Sequence, residues 1–446
     1  MIIKRSTDRP MLDVQEPVAT QYQDELFDAA GEPRPQYAAL AATLAGLARE
    51  DIMSRVQAIN TTLLQRGVTF TVYAESAGIE RVFPFDLVPR ILTAAEWERI
   101  ESGIAQRVRA LNAFLGDVYH DQRILREGRM PRELVYSCPH FCREMIGVDV
   151  PQGIYVHVSG IDLIRDEKGE FLVLEDNART PSGISYVLEN RDALKRGFPD
   201  LFQSYAVRPV DDYPGRLLEA LRFSAPRSNP QPTVVVLTPG IYNSAYFEHS
   251  LLAHRMGAEL VEGRDLIVID NVVYVKTTRG LQRVDVIYRR VDDDFIDPLY
   301  FRADSALGVV GLMNAYRAGN VTLANALGTG VADDKSIYRF VPDMIRFYLD
   351  EEPLLQNVPT YDCTDAKQRD YVLANLEKLV VKNCYASGGY GMLMGPFSTA
   401  AEREEFARQI KADPRKFIAQ PTIELSSHPT VIDGVLARRR VDLRPF

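Results

Sequence analysis

GIYVHVSGIDLIRDEKGEFLVLEDNARTPSG, residues 153–183, reads as two alternating apolar runs joined at Asp166-Glu167-Lys168-Gly169. Period-two alternation on either side of a glycine-containing turn is the pattern of a β-hairpin. Asp162 falls on the first run, and Glu175 and Asn177 fall on the second. Residues two apart on a strand share a face, so three oxygen donors converge. Hard Mg²⁺ takes this kind of set, one or two carboxylates with an amide oxygen, and completes its shell with water and nucleotide phosphates. A polar hairpin face turned to solvent has the same spacing. What favours the functional reading is Glu175-Asp176-Asn177-Ala178-Arg179-Thr180-Pro181-Ser182-Gly183. It sets acid, amide, guanidinium and a glycine turn directly after a buried strand, as a loop that holds a charged ligand requires.

Upstream, residues 36–67 and 93–125 carry apolar side chains at three- and four-residue spacing and read as helix. VTFTVYAES (68–76) and ERVFPFDLVPRIL (80–92) read as short strands between them. Downstream, LENRDALKRGF (188–198) is helical and SAPRSNPQP (224–232) is a linker. Thr233 to Leu237 form a buried strand with a helix after it through Met256, and strands follow near residues 266–269, 272–276 and 284–289, as in a small α/β unit. Residues 313–326, 336–349, 367–379 and 401–413 read as helices, and 379–382 and 416–420 as strands with a closing strand pair beyond.

A second signal is Lys382, at the end of Leu379-Val380-Val381 and ahead of Ser387-Gly388-Gly389-Tyr390-Gly391. Small residues in succession let backbone N–H groups point at anionic oxygens, and a strand-borne lysine adds a fixed charge. A glycine-rich hairpin turn would look similar. Neither a Walker A loop nor a dinucleotide G-x-G-x-x-G is present. Lys335, in Gly328-Thr-Gly330-Val-Ala-Asp-Asp-Lys335-Ser336, sits at a predicted helix start that favours phosphate or is simply solvated. Arg289 and Arg290 precede Asp292-Asp293-Asp294; simple pairing with those aspartates suits Arg289, while Arg290 is a candidate clamp on phosphate or carboxylate.

The chain has 446 residues, 46% hydrophobic and 25% charged, enough for a large core in two to four structural units. A net charge of −9 argues against a nucleic-acid backbone as partner, and Arg438-Arg439-Arg440 is too short a run to change that. No stretch approaches the ~18 apolar residues of a membrane span, and MIIKRSTDRPMLDVQEP lacks a signal-peptide core. The expectation is a soluble, cytoplasmic protein. Four cysteines without framework spacing fit a reducing compartment. Cys138, His140 and Cys142 form a C-x-H-x-C cluster that could bind zinc with a fourth donor, or be two buried thiols beside a surface histidine.

Together, FPFDLVPRIL, GIDLIR, LEDNARTPSGISYVLENR, DVIYRRVDDDFIDPL, NVTLANALGTGVADDKS, LVVKNCYASGGYGM and FIAQ make nearly the whole chain resemble the circularly permuted ATP-grasp proteins related to the synthetase domain of glutathionylspermidine synthase. The resemblance implies a mixed α+β and α/β fold of permuted ATP-grasp architecture with a helical N-terminal portion. It implies a helical part over 1–150, a metal-binding hairpin segment over 151–210, an α/β pre-ATP-grasp-like unit over 211–325, and a lysine and glycine-flap segment over 326–446. It further implies Mg²⁺ on Asp162, Glu175 and Asn177, ATP phosphates on Lys335 and Lys382, a flap at Ser387 to Gly391, an adenine hinge at Gln420, and Arg179 beside an acyl phosphate. The implied reaction is ATP-dependent joining of a small-molecule or peptide carboxylate to an amine, with a nucleotide-binding scaffold without turnover as the alternative and a carboxylate-based hydrolase as a third reading. A homo-oligomer is compatible with all three. Where glutathionylspermidine synthases carry an arginine two residues before the metal aspartate, this chain has Gly160, so glutathione and spermidine are not carried over as substrates. Related proteins continue beyond the point where this sequence stops, at VDLRPF, through a further Asn-, Gly- and Lys-containing segment. The expectation is either a shortened chain or a tail that lies outside the sequence as given, with a site that the tail would complete.

Overall fold

Thr93 opens the helix Ala94–Tyr119 with a capping box: its hydroxyl accepts from the Glu96 amide at 3.3 Å and the Glu96 carboxylate accepts from the Thr93 amide at 2.8 Å. In the computed structural model, which describes residues 24–72, 79–226, 229–385 and 391–446, this helix is the spine of the molecule. Leu111, Phe114, Leu115 and Val118 recur on one face and enter the main core. At Gly103 a Cβ would fall 2.5 Å from Leu355 Cγ, so the absent side chain lets the segment carrying Leu355 lie against the helix.

Ahead of the spine, the expected helical stretch is split into Ala38–Ala45 and Arg49–Gln65 around Gly46. β1 (Thr69–Val72) and β2 (Ile79–Val82) pair antiparallel. The second strand stops short of the predicted 80–92 because Pro84 and Pro89 cannot donate to a ladder.

Next come β3 (Gly160–Arg165) and β4 (Phe171–Asn177), the predicted hairpin. After helices Ile184–Gly197 and Tyr213–Phe223 follow β5 (Val234–Leu237), helix Tyr246–Met256 and β6 (Glu259–Val261). β7 (Leu266–Ile269), β8 (Val272–Thr277) and β9 (Gly280–Arg283) form their own antiparallel sheet. β10 (Val286–Arg289) and β11 (Thr322–Ala324) return to complete a parallel sheet of order β11-β10-β5-β6. Every residue of β5 and β10 is buried, which is why VVVL reads as a continuous apolar run and VIYR carries no charge before Arg289. Residues 313–326, predicted as one helix, are corrected here: the helix is Leu312–Arg317, Gly319 takes φ +67°, and Val321 onward turns into β11. The β-branched Val321 and Thr322 gain more from the sheet beside β10 than from another helical turn.

The last third contributes β12 (Gln356–Asn357), β13 (Tyr361–Asp362), β14 (Leu379–Asn383), β15 (Met392–Met394) and β16 (Phe417–Pro421). β13-β16-β14-β15 is an antiparallel sheet whose core takes Ile410 from the helix Ala400–Ala412. β17 (Ser427–Ile432) and β18 (Val435–Arg440) form a hairpin, and β19 (Asp442–Leu443) lies antiparallel on β3, giving the order β12-β4-β3-β19. In the basic run, Arg438 pairs with Asp24 and Arg440 with Glu424. Among the described residues no helix is long and apolar enough to cross a membrane.

Candidate active site

Alternation along β4 sorts Glu175-Asp176-Asn177 onto opposite faces. Asp176 points into the protein, where the buried Arg107 of the spine helix grips both its oxygens, at 2.5 and 2.7 Å, and also donates to Asn357 Oδ1 at 2.8 Å. Glu175 and Asn177 take the other face. Register puts Asp162 directly opposite Glu175 and Gly160 opposite Asn177, with a bulge just after Asp162. Two carboxylates therefore meet across one rung of the hairpin.

Cations from two other segments close on this rung. Lys335 Nζ stands 3.4 Å from Glu175 Oε2. Lys382, on β14, interacts electrostatically with Glu175, Asp162 and Lys335. Burial alone would push Glu175 up, but Lys335 and Lys382 outweigh it and hold its carboxyl below the usual range. Asp162 goes the other way: burial, with Glu175 beside it, raises it against the pull of Arg444. Lys382 is lowered by burial, with Lys335 adding to the effect and Glu175 opposing it. The site is thus crowded with positive charge around two carboxylates, a setting that gains from an incoming polyanion.

The donor set fits a hard divalent cation. Asn177 Nδ2 donates to Gly160 O at 3.0 Å, which leaves the amide oxygen as its donor toward a metal, next to two carboxylates. A positive group already sits there: Arg444 donates from Nε and Nη2 to the two oxygens of Asp162. The C-x-H-x-C cluster offers no comparable set. Its thiols are buried and raised above the ordinary thiol range chiefly by burial, and His140 is lowered by burial and by Arg179. Among the described residues no group of three or more His, Cys, Asp and Glu side chains is placed to hold a metal.

The loop after β4 is held residue by residue. Asp333 accepts from the Ala178 amide and, at 2.7 Å, from Arg179 Nε. Asn325 Nδ2 donates to Ala178 O at 2.8 Å and Arg179 O at 3.1 Å, while its Oδ1 accepts from His157 N and Val158 N. Arg290 donates to Thr180 O, to Pro181 O at 2.8 Å and to Ser182 Oγ. Glu248 accepts from Gly183 N at 2.7 Å and from both the amide and hydroxyl of Ser185. The Arg290 guanidinium is buried under the loop, with Nη2 on the loop oxygens and Nη1 on the Tyr288 hydroxyl, so it supports the loop. Arg289 is buried as well, pairing with Asp293 as expected and with the carbonyls of Asn325 and Ala326.

Two further residues singled out in the sequence, Lys335 and Gln420, sit on short elements of the last third. The helix that begins at Lys335 is four residues long and its N-terminus is capped by Asp334, which accepts from the Ser336 amide at 2.8 Å and pairs with Arg415. Lys335 reaches the site through its side chain, not through that helix end. Gln420 is buried on β16 and donates to Thr360 Oγ1 at 3.0 Å. Ser387, Gly388, Gly389 and Tyr390 lie outside the described residues; Gly391, with φ +65°, receives the Asn383 amide on its carbonyl at 3.1 Å.

Arg444, Asn325, Asp333 and Glu248 were not singled out by sequence reasoning. Asp333 and Asn325 lie within the quoted NVTLANALGTGVADDKS run, but their bonds to a loop some 150 residues earlier carry no local signal. Arg444 is reached only through the pairing of β19 with β3.

Comparison with known proteins extends the picture. A family model described as circularly permuted ATP-grasp type 2 matches residues 89–446. A protein of Synechocystis sp. described as uncharacterised is 54% identical over 95% of this chain and 88% of its own length, and another from Mycobacterium tuberculosis H37Rv is 55% identical over 95% of this chain and 76% of its own. A Frankia casuarinae protein named "Putative glutamate--cysteine ligase 2-2" is 44% identical; it is matched by 95% of this chain, which spans 49% of the Frankia protein's length. Among solved structures, a glutathione synthetase-like effector of Globodera pallida in its apo form superposes with a TM-score of 0.54 at 11% identity, covering 89% of this chain and 88% of that one, a likeness of fold.

Proposed function

Because the chain belongs to the circularly permuted ATP-grasp type 2 family, we propose that it is an ATP- and Mg²⁺-dependent ligase that joins a carboxylate to an amine through an acyl phosphate. The observation that carries this is the meeting of Asp162 and Glu175 across one rung of the hairpin with Lys335 and Lys382 turned onto them. Magnesium, when bound, screens the phosphate oxygens and orients the triphosphate. Asp162, Glu175 and Asn177 would hold it, and Lys335 and Lys382 would take the phosphates. The substrate carboxylate oxygen bonds to the γ-phosphorus as the bond to the β-bridging oxygen breaks and ADP departs. The amine nitrogen then bonds to the acyl carbon, phosphate leaves, and the amine proton passes to solvent. Fixed cations that meet negative charge growing on the transferred group do most of the work in such a site. Arg179, held by Asp333, is the cation this reading assigns to the acyl phosphate.

The name of the Frankia relatives makes an amino acid with a free side-chain carboxylate, glutamate first, the acceptor of phosphate to try, with amino-acid amines as nucleophiles. The four free, buried cysteines suit a reducing cytoplasm. Calorimetric titration with Mg·ATP, followed by ADP release across a matrix of carboxylates and amines, tests the reading. Binding with ADP release that needs both partners supports it; binding with no release across the matrix leaves a nucleotide-binding scaffold, and no binding removes the ligase reading.

A further inference from the structure

The closing strand brings a cation into the heart of the site. In the antiparallel pairing of β19 with β3, Asp442 stands opposite Ile164 and Leu443 opposite Leu163, so the next rung sets Arg444 opposite Asp162. Side chains directly opposite one another share a face and touch. Arg444 uses that position for a two-pronged contact, Nε on Oδ1 and Nη2 on Oδ2, the latter at 2.5 Å. The approach is prepared by two glycines. At Gly160 a Cβ would lie 3.4 Å from the Phe446 ring and 3.5 Å from Arg444 Cδ; at Gly183, where φ is +140°, it would fall 2.7 Å from the same ring. With no side chains there, the strand can settle onto the hairpin and its loop.

We propose that Arg444 is a built-in counter-cation of the metal site, holding Asp162 while no nucleotide is bound and yielding that carboxylate to the divalent ion only when nucleotide phosphates arrive to receive the guanidinium. The inference rests on the ligase reading's assignment of Asp162 as a metal ligand. Its physical basis is the asymmetry of the pair: the Asp162 side chain is 9% exposed and the Arg444 side chain 46% exposed. A buried carboxylate left without a cation is costly, whereas the half-exposed arginine swings away with little lost packing. Charge makes the exchange depend on nucleotide. Two carboxylates already face Lys335, Lys382 and Arg444, so a divalent ion entering alone must displace one cation beside two others. With a triphosphate present, the displaced guanidinium gains a partner suited to its planar fork. Metal then enters as the metal–nucleotide complex, and the free ion is held off.

The test is a titration of Mn²⁺, followed by the paramagnetic resonance signal of the free ion, on the full chain with and without a non-hydrolysable ATP analogue. The variants are Arg444→Met, Arg444→Lys and Asp162→Asn. Expected for the wild type is weak binding of Mn²⁺ alone and much tighter binding with the analogue. In Arg444→Met the ion alone binds at least tenfold more tightly than in the wild type, the advantage given by the analogue shrinks by a similar factor, and Arg444→Lys lies between. In an Asp162→Asn background the Arg444→Met change has no effect on Mn²⁺. Equal affinities for the free ion in wild type and Arg444→Met, with analogue-dependent binding intact in both, overturn the counter-cation role and leave the ligase reading standing. Absence of Mn²⁺ binding in every protein even with the analogue removes the ligase reading and this inference together. Arg444→Lys keeps the charge and the stem, so the comparison survives if the methionine variant loosens the strand.

Discussion

Replacing Lys382 with methionine keeps an unbranched stem on β14 and removes one of the cations facing the carboxylate pair. Its ammonium interacts with Glu175, Asp162 and Lys335, and burial together with Lys335 depresses its pKa below the ordinary lysine value. A cation held in that setting gains when a triphosphate enters, since the anion relieves both the desolvation and the repulsion. A hydrogen bond to a charged group contributes about 1.5–3 kcal/mol, and about 1.4 kcal/mol is a factor of ten, so Lys382→Met should weaken binding of a non-hydrolysable Mg·ATP analogue by roughly 10- to 150-fold. Calorimetry at fixed Mg²⁺ reads this directly, with Lys378→Met as control because that side chain is 72% exposed. Carried out at a pH above the depressed lysine value, the same titration in buffers of different ionisation enthalpy should show proton uptake on binding, because the phosphates raise the pKa that burial lowered. As a consequence, wild-type affinity falls as pH rises through the depressed lysine value, and that limb is absent from Lys382→Met. A change of less than twofold in the variant, with the pH limb intact, would show that Lys382 does not meet the nucleotide.

Other outcomes follow from the supports of the loop. Arg290→Met leaves Glu248 and three loop oxygens without their cation, and should cost about 3–5 kcal/mol in urea unfolding; an unchanged midpoint would show that Arg290 does not support the loop. In Asn325→Asp, an oxygen replaces the amide that donates to Val158, Ala178 and Arg179 carbonyls, with an expected loss of about 3 kcal/mol or more; a loss below about 1 kcal/mol would mean the loop is held elsewhere. Asp333 is pushed up to about 6 by burial despite Arg179. Because its folded pKa lies above the unfolded one, the folded state binds the proton more tightly, and this contribution to stability is lost as pH rises from about 4 through 6. Asp333→Asn should therefore gain on the wild type across that interval in melting temperature, and a constant difference would refute the assignment.

The hairpin and its oxygen donors were legible in the sequence because the information is local. Alternation in GIDLIR and FLVLEDN fixes which residues share a face, and the turn at residues 166–169 fixes that the two runs meet. The same holds for the buried runs VVVL and VIYR, and for Lys382 at the end of LVVK. What periodicity misassigned was the 313–326 stretch, where a short apolar run serves a helix or a strand equally well until a neighbouring strand claims it. Arg290 shows a related limit: adjacent arginines look alike in sequence, and only the folded chain shows this one buried beneath Thr180, Pro181 and Ser182. The sequence by itself thus determined the hairpin, the order of the hairpin and lysine segments and the acidic, amide and basic residues available to the site. The tertiary structure decided that Lys335 and Lys382 face Glu175, that Asp176 turns inward to Arg107, and that Arg444 grips Asp162. Those contacts join residues tens to hundreds of positions apart, and their energies depend on burial and charge that exist only once the sheets have closed on one another.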